Sequence, residues 1–190
     1  MKRIGILGDI GSGKSYVAKS FGYPVFNADK EVGKIYKEDK KVFIKLKKIL
    51  PKYIYSYPIN KDEITKAILA NKSNLKKIIK VIHFKVRKKM NFFLRRNKNK
   101  KIIILDIPLL LENKINKKND ILIFIEADKK NILKKLKKRK NFNLKLFYKF
   151  KKIQLSLDYK KKKSNFIIKN DFKKVTISNY VNIILKEIIK

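Results

Sequence analysis

Eight successive residues, Gly8-Asp9-Ile10-Gly11-Ser12-Gly13-Lys14-Ser15, have the types and spacing to hold phosphate: they fit G-x-x-x-x-G-K-S without a gap. Glycines let the backbone turn tightly enough for successive N–H groups to converge on phosphate oxygens. A helix starting just after them would aim the positive end of its dipole at the same point. Lys14 can reach the β- and γ-phosphates of a nucleotide, and the Ser15 hydroxyl can hold Mg²⁺. Gly11, Ser12, Gly13, Lys14, Ser15 and the adjoining Tyr16 are therefore the expected nucleotide-binding residues. Two neighbours fit less well. Asp9 sets a carboxylate beside the cradle, and Tyr16 is bulkier than the small residue expected after the serine.

The elements that would carry this loop are legible around it. Arg3–Leu7 is apolar enough for a buried strand, and Lys14–Phe21 has a helical pattern. Pro24–Phe26 predicts a short second strand, Lys101–Leu105 and Ile121–Ile125 two more, and Asn165–Ile168 a fifth. Strands separated by helical segments predict a parallel sheet covered on both faces. Residues 30–98 form a long helical insertion. Within it Leu75, Ile78, Ile79, Ile82, Val86, Met90 and Phe93 make one amphipathic stripe. A second helical stretch covers about 129–161, with Ile132, Leu133 and Leu136 in one stripe and Leu146, Phe147, Phe150, Ile153 and Leu157 in another. A last helix carries Ile177, Val181, Ile184, Leu185 and Ile188, with Ser178 as its N-cap.

Composition narrows the chemistry. The 190 residues include no cysteine, which excludes disulfides, thiolate metal sites and cysteine nucleophiles. No apolar run approaches the roughly 18 residues of a membrane span, and the opening residues are not a secretory signal, so a cytoplasmic protein is expected. The formal net charge of +37 has two readings. One is a nucleic-acid or anionic-membrane partner. The other is compositional: Lys, Asn, Ile, Phe and Tyr abound throughout, as AT-rich codons would give. Arginine, the favoured group for phosphate and base recognition, occurs only at 3, 87, 95, 96 and 139. Lysines also lie on every expected helix rather than on one face, so no specific nucleic-acid or membrane partner is expected.

Three segments, taken in order and spacing, resemble the dephospho-CoA kinase family: Ile10–Ser15, then Asn27-Ala28-Asp29, then Asp106-Ile107-Pro108-Leu109-Leu110-Leu111-Glu112. In that family the second strand ends in an Asp-Ala-Asp-like triplet whose last carboxylate faces the ribose 3′-hydroxyl. The resemblance gives that place to Asp29, with Asn27 where an acid is usual. A carboxylate there can orient the hydroxyl and accept its proton; Asp29 also reads as a helix N-cap. Asp106 ends an apolar strand, where P-loop enzymes often place the carboxylate that supports Mg²⁺, and it equally suits capping of a turn. Ile82-His83-Phe84-Lys85-Val86-Arg87 is similar to the family's His-Pro-x-Val-Arg stretch. This implies substrate contacts for His83 and Arg87, although His83 also reads as a half-buried residue at a stripe edge. Phe84 replaces the proline, so that helix is expected to run straighter. Arg139 follows Lys135 at the spacing of the family's lid pair Arg-x-x-x-Arg, and could clamp the transferring phosphoryl group. Gln154 and Lys160 keep the spacing of a family Gln…Lys pair. Ile167–Asn170 is similar to its V-I-D-N ending, after which Phe172 stands in place of a glycine.

The resemblance implies a three-layer P-loop NTPase fold with a five-stranded parallel sheet, forming a single domain. The insertion at about 30–98 would receive the acceptor and about 129–161 would act as lid. It implies ATP and Mg²⁺ as cofactors, dephospho-CoA as small-molecule substrate, and a monomer or small homo-oligomer. The catalytic residues would be Lys14, Asp29 and Arg139, with Ser15 and Asp106 at the metal. Two other readings compete: another small-molecule P-loop kinase, such as one acting on nucleoside monophosphates, and a basic nucleic-acid-binding protein with a vestigial loop.

Overall fold

The computed structural model describes residues 1–139 and 142–189, which group into two compact units. Met1–Asn27, Asn97–Asn143 and Lys149–Lys190 make a sheet unit; Ala28–Arg96 and Leu144–Tyr148 make a helical unit. In the sheet unit lie β1 (Lys2–Gly8), α1 (Lys14–Ser20), β2 (Val25–Asn27), β3 (Ile102–Asp106), β4 (Ile121–Glu126), α6 (Lys129–Lys137), α8 (Leu157–Lys162), β5 (Phe166–Lys169) and α9 (Lys174–Ile189). The helical unit holds α2 (Ala28–Glu38), α3 (Lys40–Ile49), α4 (Lys61–Ala70) and α5 (Lys72–Arg96). The remaining helix, α7 (Leu144–Lys152), contributes residues to both.

All strand pairings are parallel, in the order β2-β3-β1-β4-β5. Parallel strands are buried on both faces, which is why they read as unbroken apolar runs. Successive side chains alternate between faces. Ile4, Ile6, Ile102, Ile104, Ile123 and Ile125 pack with Val17 and Ala18 of α1 and with Ile177, Val181 and Ile184 of α9. Ile103, Leu105 and Phe124 are buried on the other side. Leu110 closes over Gly5 there; a Cβ on Gly5 would lie 2.5 Å from it. Burying each such side chain contributes about 1.5–3 kcal/mol, so the sheet is held by its aliphatic faces.

The topology places the phosphate loop. The chain leaves β1 for β2 and β3 on one side of the sheet and returns through β4 and β5 on the other. The carboxyl end of β1 is thus the switch point at which open α/β sheets bind ligands.

In the helical unit α5 runs unbroken through Phe84, and α2, α3 and α4 pack against it. Ile78 and Ile82 of its stripe are buried. Asp39 caps α3 by accepting from the Val42 N–H at 3.0 Å and pairs with Lys85 of α5 at 2.8 Å. Buried Glu63 accepts from the Tyr55 N–H and from the Ser56 hydroxyl, fastening the segment before α4.

Three expectations need correction. The stretch 129–161 is not continuous helix: α6, α7 and α8 are separate, and Asp128 and Ser156 start the first and last of these with side-chain caps. Residues 140 and 141 of that stretch lie outside the described residues. Leu133 and Ile153, assigned to stripes, are exposed. Ser178 is no N-cap either, since α9 begins at Lys174. Asp171 secures that start instead, accepting from the Lys173 N–H and the Thr176 hydroxyl at 2.9 Å each.

Candidate active site

The phosphate loop is built on three left-handed glycines: Gly8 (φ 143°), Gly11 (φ 85°) and Gly13 (φ 91°). Space matters as much as conformation. A Cβ on Gly8 would meet the Ile125 carbonyl of the neighbouring strand at 2.7 Å, and one on Gly13 would meet the Asn170 amide at 2.5 Å. Only glycine fits.

Lys14 opens α1 and is buried along most of its length. Its ammonium donates to the Asp9 carbonyl at 2.6 Å and the Gly8 carbonyl at 3.3 Å, so the cation stays over the loop rather than in solvent. Ser12 is fully buried and offers its carbonyl to Asn170 Nδ2 at 2.8 Å. Gly13 is the N-cap of α1, with Ser15 and Tyr16 in the first turn; the Tyr16 ring is about half exposed.

The register pairs Asn27 at the end of β2 with Asp106 at the end of β3. The Asn27 amide donates to the buried Asp106 carboxylate and to Ser15 Oγ at 3.4 Å. The two groups expected at the metal are therefore joined through one side chain. A hydroxyl and a carboxylate are hard oxygen donors, the type Mg²⁺ takes when substrate phosphates complete its shell. No cluster of three or more His, Cys, Asp or Glu suited to a metal exists among the described residues.

Around the loop the structure assembles residues that the sequence showed only as fragments. Lys160 is buried and pairs with Glu112 Oε1 at 2.8 Å while donating to Gln154 at 3.3 Å, joining the P-L-L-x-E segment to the Gln…Lys pair. Lys135 stands over the Phe172 ring, 4.5 Å from its centroid. Phe172 has a left-handed backbone (φ 66°), and its N–H is held by the Asn170 side chain at 2.8 Å. Sequence reasoning gave Asn170 no task. Its signal was position, directly after the carboxyl end of β5. Arg139 lies exposed just past α6, its N–H bonded to the Leu136 carbonyl at 3.0 Å.

In the helical unit, Asp29 lies one residue inside α2, exposed in its first turn, so it is not the N-cap; its charge there complements the helix dipole. His83 and Arg87 are one turn apart on α5, His83 half-buried and Arg87 exposed. Burial, and then the positive charge of Arg87, push the His83 pKa below its ordinary value.

A phosphate loop between the central strand of an all-parallel sheet and the next helix defines the P-loop class of nucleotide-binding enzymes. Comparison with known proteins narrows the class. The sequence pattern described as dephospho-CoA kinase matches residues 2–175. A dephospho-CoA kinase of Wolbachia pipientis wMel is 35% identical over 130 residues, which cover 66% of this chain and 67% of that protein. Among solved structures, TT1252 from Thermus thermophilus superposes with a TM-score of 0.79 at 22% identity, and the dephospho-CoA kinase from Campylobacter jejuni with 0.65 at 24%. Each covers 98% of this chain and 97% of its own, and these two likenesses show the fold. The chain belongs to the dephospho-CoA kinase family. It is an ATP-dependent kinase of coenzyme A biosynthesis, and its five-stranded parallel sheet is that of the P-loop kinases. No helix among the described residues is long and apolar enough to cross a membrane.

Proposed function

We propose that the chain transfers the γ-phosphoryl group of Mg²⁺-bound ATP to the ribose 3′-hydroxyl of dephospho-CoA, releasing ADP and coenzyme A. The observation that carries this reading is the union of Ser15 and Asp106 through Asn27, beside Lys14, in a chain of this family. Lys14 exchanges the carbonyls of Gly8 and Asp9 for β- and γ-phosphate oxygens. Ser15 and Asp106 hold Mg²⁺, which offsets charge on those oxygens when bound. Asp29 orients the 3′-hydroxyl and takes its proton as the oxygen bonds to the γ-phosphorus and the bond to the β–γ bridging oxygen breaks. His83 and Arg87 contact the acceptor, and Arg139 adds charge at the transferring group. The whole chain works as one kinase domain, the helical unit receiving the acceptor and residues 129–161 serving as lid.

The test is a coupled ADP-release assay across acceptors. Turnover is expected with dephospho-CoA and not with AMP or TMP. Turnover with either nucleotide and none with dephospho-CoA overturns the assignment.

A further inference from the structure

Asp9 is an acid inside a loop whose work is to hold anions. It cannot turn its charge to solvent, because its side chain is only 7% exposed. Oδ1 accepts from the Ile10 N–H at 2.7 Å, and Oδ2 faces the Lys151 ammonium at 3.4 Å. The carbonyl of the same residue accepts from Lys14 at 2.6 Å. One loop residue thus holds two lysines, one by its backbone and one by its carboxylate. Uncompensated, a buried carboxylate is costly in itself and repels polyphosphate where water screens poorly.

We propose that Lys151, at the carboxyl-terminal end of α7, is a positioning residue for the nucleotide: it neutralises Asp9 and so sets the affinity of the phosphate loop for ATP. This rests on the phosphate-binding reading of that loop. Lys151 acts through Asp9 rather than on the nucleotide. It also fastens the end of α7 to the loop. The composition of the chain conceals the role, since Lys151 is one lysine among many, and only its partner separates it from those on solvated faces.

A double-mutant cycle read by calorimetric titration of ATP with excess Mg²⁺ tests this. Lys151→Met is expected to weaken ATP binding about tenfold, and Lys151→Arg to retain most of the affinity. Asp9→Asn is expected to bind ATP more tightly than the natural chain, and in that background Lys151→Met should change the dissociation constant less than about twofold. The tenfold loss should shrink as KCl is raised. Circular dichroism of each variant reports folding, and Lys151→Arg keeps the charge that methionine removes. Equal losses in both backgrounds, or no loss from Lys151→Met, overturn the proposal. Lys14→Ala separates the two levels of the argument. ATP binding that survives Lys14→Ala undiminished sinks the phosphate-loop reading and this proposal with it. Lys14-dependent binding with equal Lys151 losses sinks this proposal alone.

Discussion

The two units hold their chemistry differently. In the sheet unit the groups in and around the phosphate loop are braced against one another: Lys14 on two carbonyls, Asn27 across Ser15 and Asp106, Asn170 across Ser12 and Phe172. In the helical unit Asp29 and Arg87 stand exposed on α2 and α5, and His83 is half-buried beside the apolar stripe. A triphosphate presents the same oxygens each time, so a site for it can be built from backbone and braced side chains before binding. An acceptor presents particular hydroxyls and charges, which side chains on helix surfaces can address. Rigidity has a local cost. The sheet unit contains strained or burdened residues, Phe172 at positive φ and Asp9 buried within the loop.

The largest effects should separate the units kinetically. Lys14→Ala is expected to lower kcat/KM about 10³-fold, by losing both ATP affinity and charge stabilisation in the chemical step. Asp29→Asn is expected to lower kcat about 10²-fold while ATP affinity, read by titration, stays nearly unchanged. Undiminished turnover in Asp29→Asn would take the proton-accepting role from that residue. A parallel loss of ATP affinity would mean that the sites of the two units are not independent.

A stability measurement sharpens the same contrast. Lys160→Met leaves Glu112 buried without its cation and is expected to cost about 3 kcal/mol in urea unfolding. Lys85→Met, which breaks the more accessible pair with Asp39 in the helical unit, is expected to cost less than about 1 kcal/mol. Equal costs would show that burial of the pair does not decide the matter.

Much of the sheet unit was legible in the sequence because its signals are local. Strands buried on both faces give apolar runs, and the phosphate loop is a contiguous motif. The helical breaks were readable as well: Asp39, Asn60, Asp128 and Ser156 each cap a helix with a side-chain oxygen. The start at about 129 was placed correctly, but Asp39, Asn60 and Ser156 went unread as caps because lysine-rich stripes continue across the gaps, so periodicity outweighed capping. The pairing of Glu112 with Lys160 was beyond reach, since it joins residues 48 apart that only the fold brings together. Phe172 illustrates a partial reading. The sequence showed a glycine replaced, but not that the chain has a left-handed backbone there. Phe172→Ala and Phe172→Gly both remove the ring from Lys135, and glycine alone removes the backbone strain. The glycine variant should therefore be the more stable of the two by about 1 kcal/mol in urea unfolding. Equal stability would mean that the loop relaxes when the ring is lost.

The smallest expected effect belongs to the helical unit and concerns protonation. His83 has its folded-state pKa below the ordinary 6.5, because burial and then Arg87 disfavour the imidazolium. The unfolded chain consequently holds more protons as the pH drops below about 6.5. The stability that neutral His83 contributes is complete above that pH. It is lost progressively toward the folded-state value, below which the loss levels off. Urea midpoints of the natural chain and of His83→Gln should thus run parallel above neutrality and diverge in mildly acid solution, the natural chain falling faster. Curves that stay parallel throughout would show that protonation is not disfavoured at this position. A neutral His83 also leaves Arg87 as the charged member of the pair on this face of α5. At neutral pH, removing Arg87 should therefore raise the KM for dephospho-CoA more than removing His83, and the reverse order would require an imidazolium at position 83 in the complex.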